Sequence, residues 1–216
     1  MVREINVYAS LQKRHGKTTI LNTNGELLLR HLKRHAGDFP FDVVGISIDG
    51  ATAAVHQAMR GPRASLERTI VAATWASSQP GVRLKVGTVV SAVNLESLPE
   101  LAVLIRRLRP FVWRLYQYSP WGPQNRGRDR HAVDREQFDT AVQRAVAMVA
   151  PIQVASSGVD VTGGCVIVDP GGNILRAEQS GYMVLGNCLR ESVAAVWSRL
   201  PRPSSVIENK RWLAGI

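Results

Sequence analysis

The chain has 216 residues, of which 45% are hydrophobic and 20% are charged, so it can bury the core of one globular domain. Its formal net charge of +10 favours an anionic partner, such as a nucleic acid, a phosphorylated substrate or an acidic protein; an arginine-rich surface without a ligand is the alternative. The two cysteines, Cys165 and Cys188, are too few for a zinc site or a four-iron cluster. No stretch is apolar enough for a signal core or a membrane span, so we expect a cytoplasmic protein with reduced thiols and no membrane partner.

Helices and strands alternate from the start of the chain. Apolar spacing predicts a helix over residues 1–15, a strand over 18–23 and a second helix over 26–35. Residues 41–50 form an apolar run that delivers Ser47 and Asp49 to its end. Such a run is typical of a buried parallel strand whose last residues emerge at a ligand site.

The same alternation continues to about residue 150. Ser97 is expected to cap a helix, with Glu100 completing a capping box, and Asp134 is expected to cap another. A leading helix followed by four βα units predicts an α/β domain over residues 1–150, with a parallel sheet that is either open or curved into a barrel. The further predicted elements are helices over residues 51–59, 64–78, 97–107 and 135–149, and strands over residues 83–92 and 112–118.

Residues 151–216 do not continue this alternation and are predicted to form a C-terminal extension. The Gly-rich stretch over residues 163–175 has a Pro-Gly turn between two apolar runs, which predicts a β-hairpin. A last helix is expected over residues 189–200.

Polar residues follow the ends of the predicted parallel strands. The carboxyl ends of such strands meet at one edge of the sheet, where a ligand can bind. The alternative is that each residue only caps the helix that follows it. The residues expected at this edge are Thr23, Asn24, Ser47, Asp49, Asn94, Gln117 and Tyr118.

The segment over residues 106–135 is rich in arginine and aromatic side chains, a combination that suits phosphate binding and base stacking. Its loop residues Arg126, Arg128 and Arg130 are predicted to bind substrate. Because these arginines cluster near one edge and not along a stripe, a small anionic ligand is favoured over nucleic acid, which stays as the weaker alternative. No Ser-His-Asp pattern, phosphate-binding loop, dinucleotide fingerprint or metal-ligand spacing of histidines is present.

Several short motifs, in this order, resemble the middle and end of radical SAM enzymes, in particular the viperin-like branch and its molybdenum-cofactor-cyclase-like relatives. They are Thr23-Asn24-Gly25, the run over residues 44–50 with His56 and Met59-Arg60-Gly61 after it, the strand over residues 84–94, the stretch over residues 109–117, and the Gly-rich segment over residues 164–173. The resemblance implies a partial (βα)6 barrel that binds S-adenosylmethionine (SAM) across its strand ends. Ser47 and Asp49 would face the methionine or ribose part, and Arg60 would reach the carboxylate. Thr23, Asn24 and Asn94 would line the same pocket, with Gln117 and Tyr118 beside the adenine.

The sequence departs from the radical SAM pattern at its start. The Cys-x3-Cys-x2-Cys loop that holds the 4Fe-4S cluster is absent, as are the first two strands and the Gly-Gly-Glu-Pro segment. The resemblance therefore implies an N-terminally truncated member whose full-length form would cleave SAM reductively, with an electron donor, to modify a small-molecule substrate. The resemblance does not identify that substrate, and only the loop arginines favour an anionic one. This chain alone is expected to hold no cluster and to be inactive. The alternative is a non-catalytic α/β module that binds a nucleotide or nucleic acid.

Overall fold

The computed structural model describes residues 5–30, 39–118, 129–157, 166–178 and 181–198. Five strands form one parallel sheet in which each strand lies beside the one that precedes it in sequence. These strands are β1 (Ile20–Thr23), β2 (Val43–Ser47), β3 (Arg83–Val90), β4 (Val112–Gln117) and β5 (Gln153–Ser157). The predicted α/β class with parallel strands is confirmed.

Helices connect the strands, as the alternation predicted. Residues 28–30 are also helical, and the remainder of the helix predicted over residues 26–35 lies outside the described residues. Short 3-10 turns occur at Leu95–Ser97 and Asp129–His131. The helices of this part of the chain are α1 (Ile5–Arg14), α2 (Ala53–Arg60), α3 (Leu66–Ser78), α4 (Leu98–Leu108) and α5 (Arg135–Val149).

Strand β5 was not predicted from the sequence. Its five residues, Gln-Val-Ala-Ser-Ser, include one β-branched apolar residue, so they carry little of the usual strand signal. Even so, β5 pairs with β4 from Val112↔Gln153 to Tyr116↔Ser157. The parallel sheet therefore continues past residue 150, where the first domain was predicted to end.

The two faces of the parallel sheet differ in chemistry. One set of alternating positions packs against α1, α3, α4 and α5 and forms the apolar core; it includes Leu21, Val44, Ile46, Leu84, Val86, Trp113 and Leu115. The opposite positions include Asn22, Lys85, Arg114 and Ser157, and we call the side of the sheet that carries these four residues the polar face. Parallel sheets are usually apolar on both faces, so the polar face is the unusual feature of this fold.

A chain of two buried hydrogen bonds crosses the core side of the sheet. Trp113 is fully buried, and its indole Nε1–H donates to Thr88 Oγ1 at 2.9 Å. The Thr88 hydroxyl in turn donates to the carbonyl oxygen of Ile48 at 2.6 Å. These two hydrogen bonds fix the end of β2 against β3 and β4, just before Asp49.

A second, antiparallel sheet follows in the C-terminal part. It contains β6 (Val166–Val168), β7 (Asn173–Glu178) and β8 (Gly181–Asn187), and helix α6 (Val193–Ser198) comes after it. The predicted hairpin is observed in β6 and β7, and β8 was not predicted. Asp169 closes the hairpin turn, because its Oδ1 accepts the backbone N–H of Gly171 at 2.8 Å and of Asn173 at 2.9 Å. Within the described ranges no helix is both long and apolar enough to cross a bilayer.

The two predicted helix caps differ in the structure, and this gives a first testable prediction. Asp134 Oδ1 accepts the backbone N–H of Gln137 at 2.7 Å, and Gln137 Oε1 accepts the backbone N–H of Asp134. The two hydrogen bonds form a complete capping box. Ser97 makes no side-chain cap bond; its hydroxyl donates to the Asn94 carbonyl instead, so the predicted capping box with Glu100 is wrong. We expect Asp134→Ala to lower the free energy of unfolding by about 1 kcal/mol and Ser97→Ala by less than about 0.5 kcal/mol, measured by urea denaturation. Equal losses in the two variants would contradict the assignment of the caps.

Candidate functional site

The candidate site lies at the carboxyl edge of β2 and β3, where Asp49 and Arg60 form an ion pair. Asp49 follows β2 and its side chain is 2% exposed. Arg60 is the last residue of α2 and donates from Nη1 to Asp49 Oδ2 at 3.1 Å, and its side chain is 28% exposed. The other carboxylate oxygen, Oδ1, accepts the backbone N–H of Val89 at 2.8 Å. Both carboxylate oxygens of Asp49 thus accept hydrogen bonds within the protein, and Arg60 is the more exposed residue of the pair.

Burial is the largest influence on the charge of Asp49. It raises the pKa of the Asp49 carboxyl, and the Arg60 guanidinium and the Val89 N–H oppose it without cancelling it. Because Arg60 stabilises the charged form, the pair holds an arginine in a fixed position at the edge of the sheet. A fixed guanidinium with unused N–H donors is suited to binding a carboxylate or phosphate.

His56 contacts the same residue from the other side. It is 2% exposed, and its Nδ1 lies 3.4 Å from the Asp49 backbone nitrogen, whose N–H it accepts. Burial lowers the pKa of His56, and the nearby Arg60 lowers it further while Glu26 raises it. The neutral imidazole is therefore the form that fits the fold, because a protonated Nδ1 could not accept this hydrogen bond.

The lowered pKa of His56 predicts a pH dependence of stability. The unfolded chain takes up a proton near pH 6.5 and the folded chain does so at lower pH, so the free energy of unfolding should fall as the pH drops below about 6.5. His56→Asn keeps an acceptor near the position of Nδ1 but does not titrate. We expect the wild type to lose more stability than this variant between pH 7.5 and 5.5 in urea denaturation. Parallel curves for the two proteins would contradict a neutral, buried His56.

Asn94 joins the ends of the two strands. Its Nδ2 donates to the carbonyl oxygens of Asp49 at 2.9 Å and Val89 at 2.8 Å, and its Oδ1 accepts the N–H of Ser91 at 2.9 Å. The side chain is 1% exposed. The structure thus brings Asn94 to the predicted edge, where it holds the backbone around Asp49; contact with a cofactor stays a prediction.

The remaining predicted edge residues divide into two groups. At β1, Thr23 Oγ1 accepts the N–H of Gly25 and Asn24 Oδ1 accepts that of Glu26, so both side chains stabilise the turn. Glu26 then binds the start of α3 through the backbone N–H of Ser65 at 2.6 Å. These bonds agree with the alternative that residues at a strand end cap the next segment of the chain. Ligand contacts by Thr23 and Asn24 stay predictions.

The second group lies at the end of β2 and β4. Ser47 is half-buried, and its hydroxyl makes no hydrogen bond within the described part of the chain. Gln117 is 8% exposed and donates from Nε2 to the Val133 carbonyl at 2.9 Å. The ring of Tyr118 packs edge-on against His131, with centroids 5.9 Å apart. Arg130 is exposed beside His131, whereas Arg126 and Arg128 lie outside the described residues.

The polar face was not predicted from the sequence. Lys85 is 7% exposed, and burial together with the neighbouring Arg114 lowers the pKa of its ammonium group. Arg114 donates from Nη2 to Ser157 Oγ at 2.6 Å, and its guanidinium lies 5.3 Å from the centre of the Tyr116 ring. The signal available in the sequence was a charged residue within each of these two otherwise apolar strands.

An iron–sulfur cluster does not fit the residues of this chain. A site-differentiated 4Fe-4S cluster needs three thiolates, and the sequence has two cysteines. Cys188 is half-buried, and Cys165 lies outside the described residues. In the part of the chain that the structure describes, no group of three or more His, Cys, Asp or Glu side chains could hold a metal ion.

Two curated proteins are similar to this chain in sequence, and no family model matches it. Pre-heme d1 synthase of Dinoroseobacter shibae is 30% identical over 129 residues, covering 58% of this chain and 31% of that protein. An S-adenosylmethionine-dependent nucleotide dehydratase of Flammeovirga pacifica is 23% identical over 192 residues, covering 86% of this chain and 63% of that protein. The chain therefore spans about a third of the first relative and less than two thirds of the second.

Comparison with solved structures identifies the fold. SuiB of Streptococcus suis, solved bound to S-adenosylmethionine, superposes with a TM-score of 0.65 and 12% identity over 92% of this chain and 52% of SuiB. A radical SAM methyltransferase from Sphaerobacter thermophilus superposes with a TM-score of 0.50 and 20% identity over 66% of this chain and 42% of the enzyme. The chain has the fold of radical SAM enzymes. The resemblance stated from the sequence is thus confirmed at the level of the fold, and Ser47, Asp49 and Asn94 lie at the carboxyl edge of its parallel strands.

Proposed function

We propose that this chain is a radical SAM protein and that it contributes part of the S-adenosylmethionine site. The Asp49–Arg60 ion pair at the carboxyl edge of the sheet carries the proposal, because it presents a fixed guanidinium to an anionic ligand group. In this proposal Arg60 binds the carboxylate of S-adenosylmethionine, and the Ser47 hydroxyl donates to the same ligand. Asp49, His56 and Asn94 hold Arg60 and the end of β2 in position.

This division of roles refines the sequence prediction for Asp49. Both of its carboxylate oxygens already accept hydrogen bonds within the protein, so we assign it to positioning Arg60. Arg60 has five N–H donors, and its contact with Asp49 leaves others for a ligand. The predicted roles of Thr23, Asn24, Gln117 and Tyr118 in lining the pocket remain part of the proposal.

Reductive cleavage of S-adenosylmethionine requires an iron–sulfur cluster, and this sequence does not supply three thiolates for one. We therefore assign no catalytic residue to this chain, and we propose that catalysis needs cluster ligands and an electron donor from outside it. After anaerobic reconstitution we expect negligible iron bound per chain. Stoichiometric iron would overturn this part of the proposal.

Titration of the chain with S-adenosylmethionine by isothermal calorimetry tests the binding function. We expect saturable binding by the wild type and an affinity at least tenfold lower in Arg60→Gln, since a charge-assisted hydrogen bond to a carboxylate is lost. Arg68→Gln is the matched control: Arg68 also pairs with a carboxylate, Glu26 at 3.3 Å, but its side chain is 70% exposed. Absence of binding by folded wild type at millimolar ligand, or equal losses in both variants, would overturn the proposal.

The substrate is proposed only by class. One relative is described as a nucleotide dehydratase, and SuiB has been solved bound to a precursor peptide, so similar proteins act on nucleotides or bind peptides. The net charge of +10 favours an anionic small molecule for this chain, with Arg126, Arg128 and Arg130 as proposed contacts. A cytoplasmic location also belongs to the proposal.

A non-catalytic module that binds nucleotides or nucleic acid is the second candidate. It is favoured by the basic end of α4, where Arg106, Arg107 and Arg109 are exposed together. Affinity for a generic single-stranded oligonucleotide that falls steeply with added salt would support it. No binding at low salt would exclude it.

A further inference from the structure

Helix α6 covers one face of the antiparallel sheet. Residues that pair directly across two strands share a face, so Ile174 and Gly186 lie together on it. Ile174 and Val196 of α6 are each 2% exposed, and a Cβ on Gly186 would come within 2.7 Å of the Val196 side chain. The helix therefore packs directly on this face and buries its centre.

The opposite face of the same sheet is apolar. One row in register joins Ile167 of β6, Leu175 of β7 and Val184 of β8. Tyr182 lies two residues from Val184 along β8 and thus on the same side. We call these four residues the outer apolar face.

No described element of the chain covers the outer apolar face. Leu175 is half-buried between its neighbours. The other three side chains are open to solvent: Ile167 is 40% exposed, Tyr182 56% and Val184 61%. A sheet is normally packed on its apolar side against a further layer, and a contiguous apolar patch on a surface marks a contact with another molecule.

The charge of the chain indicates which molecule fits the outer apolar face. The formal net charge is +10, so two copies of the chain repel each other over most of their surface. None of the four residues of this face is charged. In a two-fold symmetric contact the same patch meets itself, so an uncharged apolar patch is self-complementary. An acidic partner would gain no ion pair from these four side chains.

The size of the outer apolar face predicts how strong such a contact is. Each partner in a stable complex buries about 800 Å², whereas an exposed apolar patch on a single protein covers about 300–600 Å². Four side chains belong to the smaller class. We therefore expect a reversible association with a micromolar dissociation constant.

We propose that the outer apolar face binds the same face of a second copy of this chain. The two three-stranded sheets pack face to face, about 10 Å apart, with α6 on the outer side of each sheet. Tyr182 contributes a large apolar ring whose hydroxyl can stay in water at the rim of the contact. This dimer does not depend on the proposed function.

Sedimentation velocity of the full chain, from low micromolar to several hundred micromolar, tests the proposal. We expect a monomer–dimer equilibrium in the wild type. Val184→Asp brings two carboxylates together in the contact, and Tyr182→Ser removes the ring, so each should raise the dissociation constant at least tenfold. Both side chains are mostly exposed, so each variant should keep the urea unfolding midpoint of the wild type.

Val146→Asp is the matched control. Val146 lies on α5 and is 49% exposed, far from the antiparallel sheet in sequence, and its replacement should change the dissociation constant less than twofold. Added NaCl should strengthen the dimer, because it screens the repulsion between two positively charged chains. A wild type that stays monomeric throughout would overturn the proposal. A dimer that survives in Val184→Asp and Tyr182→Ser, or that salt weakens, would do so too, because the contact would then lie on another surface or consist of ion pairs.

Discussion

Replacement of Trp113 by alanine is expected to lower the free energy of unfolding by about 3–5 kcal/mol, the largest effect that we predict for a single substitution. The side chain is fully buried in the core between the sheet and its helices. Its removal leaves a cavity and also takes the N–H donor from Thr88 Oγ1, which bonds to the Ile48 carbonyl at 2.6 Å. Chemical denaturation by urea, followed by circular dichroism, measures the loss.

Trp113→Phe separates the two causes. Phenylalanine retains most of the buried volume and loses the hydrogen bond, so we expect a cost of about 1–3 kcal/mol. A cost below about 1 kcal/mol for Trp113→Ala would mean that the core is much less tightly packed around this residue than the structure shows.

Replacement of Asp49 by alanine is expected to cost about 2–4 kcal/mol and to abolish measurable binding of S-adenosylmethionine. The variant leaves the Val89 N–H without its acceptor, which accounts for about 1–3 kcal/mol. Arg60 also loses its partner, although its side chain is 28% exposed and can turn to water, so this part is smaller than for a fully buried pair. Urea denaturation and calorimetric titration measure the two effects.

Asp139→Ala is the matched control for Asp49→Ala. Asp139 also pairs with an arginine, Arg135 at 2.7 Å, but this pair lies on the surface of α5. The Arg135 side chain is 61% exposed and the Asp139 side chain is 47% exposed. We expect a cost of no more than about 0.5 kcal/mol and unchanged ligand binding. If the two variants cost the same, the Asp49–Arg60 pair would have no special place in the site.

Most of the parallel sheet could be predicted from local sequence signals. The apolar run over residues 41–50 and the strand over residues 83–92 are long, rich in β-branched residues and bounded by turn residues. Strand β5 lacks that signal, because Gln153–Ser157 is mostly polar and its pairing depends on the neighbouring β4. This strand forms because of its tertiary pairing and not because of a local sequence signal.

The positions of the residues at the sheet edge could be predicted better than their contacts. Strand ends in a parallel sheet share one edge, so Ser47, Asp49 and Asn94 could be placed there from strand assignment alone. That Asp49 pairs with Arg60 and that Asn94 bonds to two carbonyls depends on distances in three dimensions. The pair of Lys85 and Arg114 was missed for the same reason: register between strands, and not spacing along the chain, brings them together.

The strand order of the parallel sheet has a consequence for how the protein forms. Each strand from β1 to β5 lies beside the strand made just before it, so no later segment has to insert between strands that are already paired. The sheet can therefore grow one strand at a time as the chain leaves the ribosome. Among the strands that the structure describes, β1 and β5 are the two outer ones, so an added unit could extend the sheet at either side without rearranging the strands already in place.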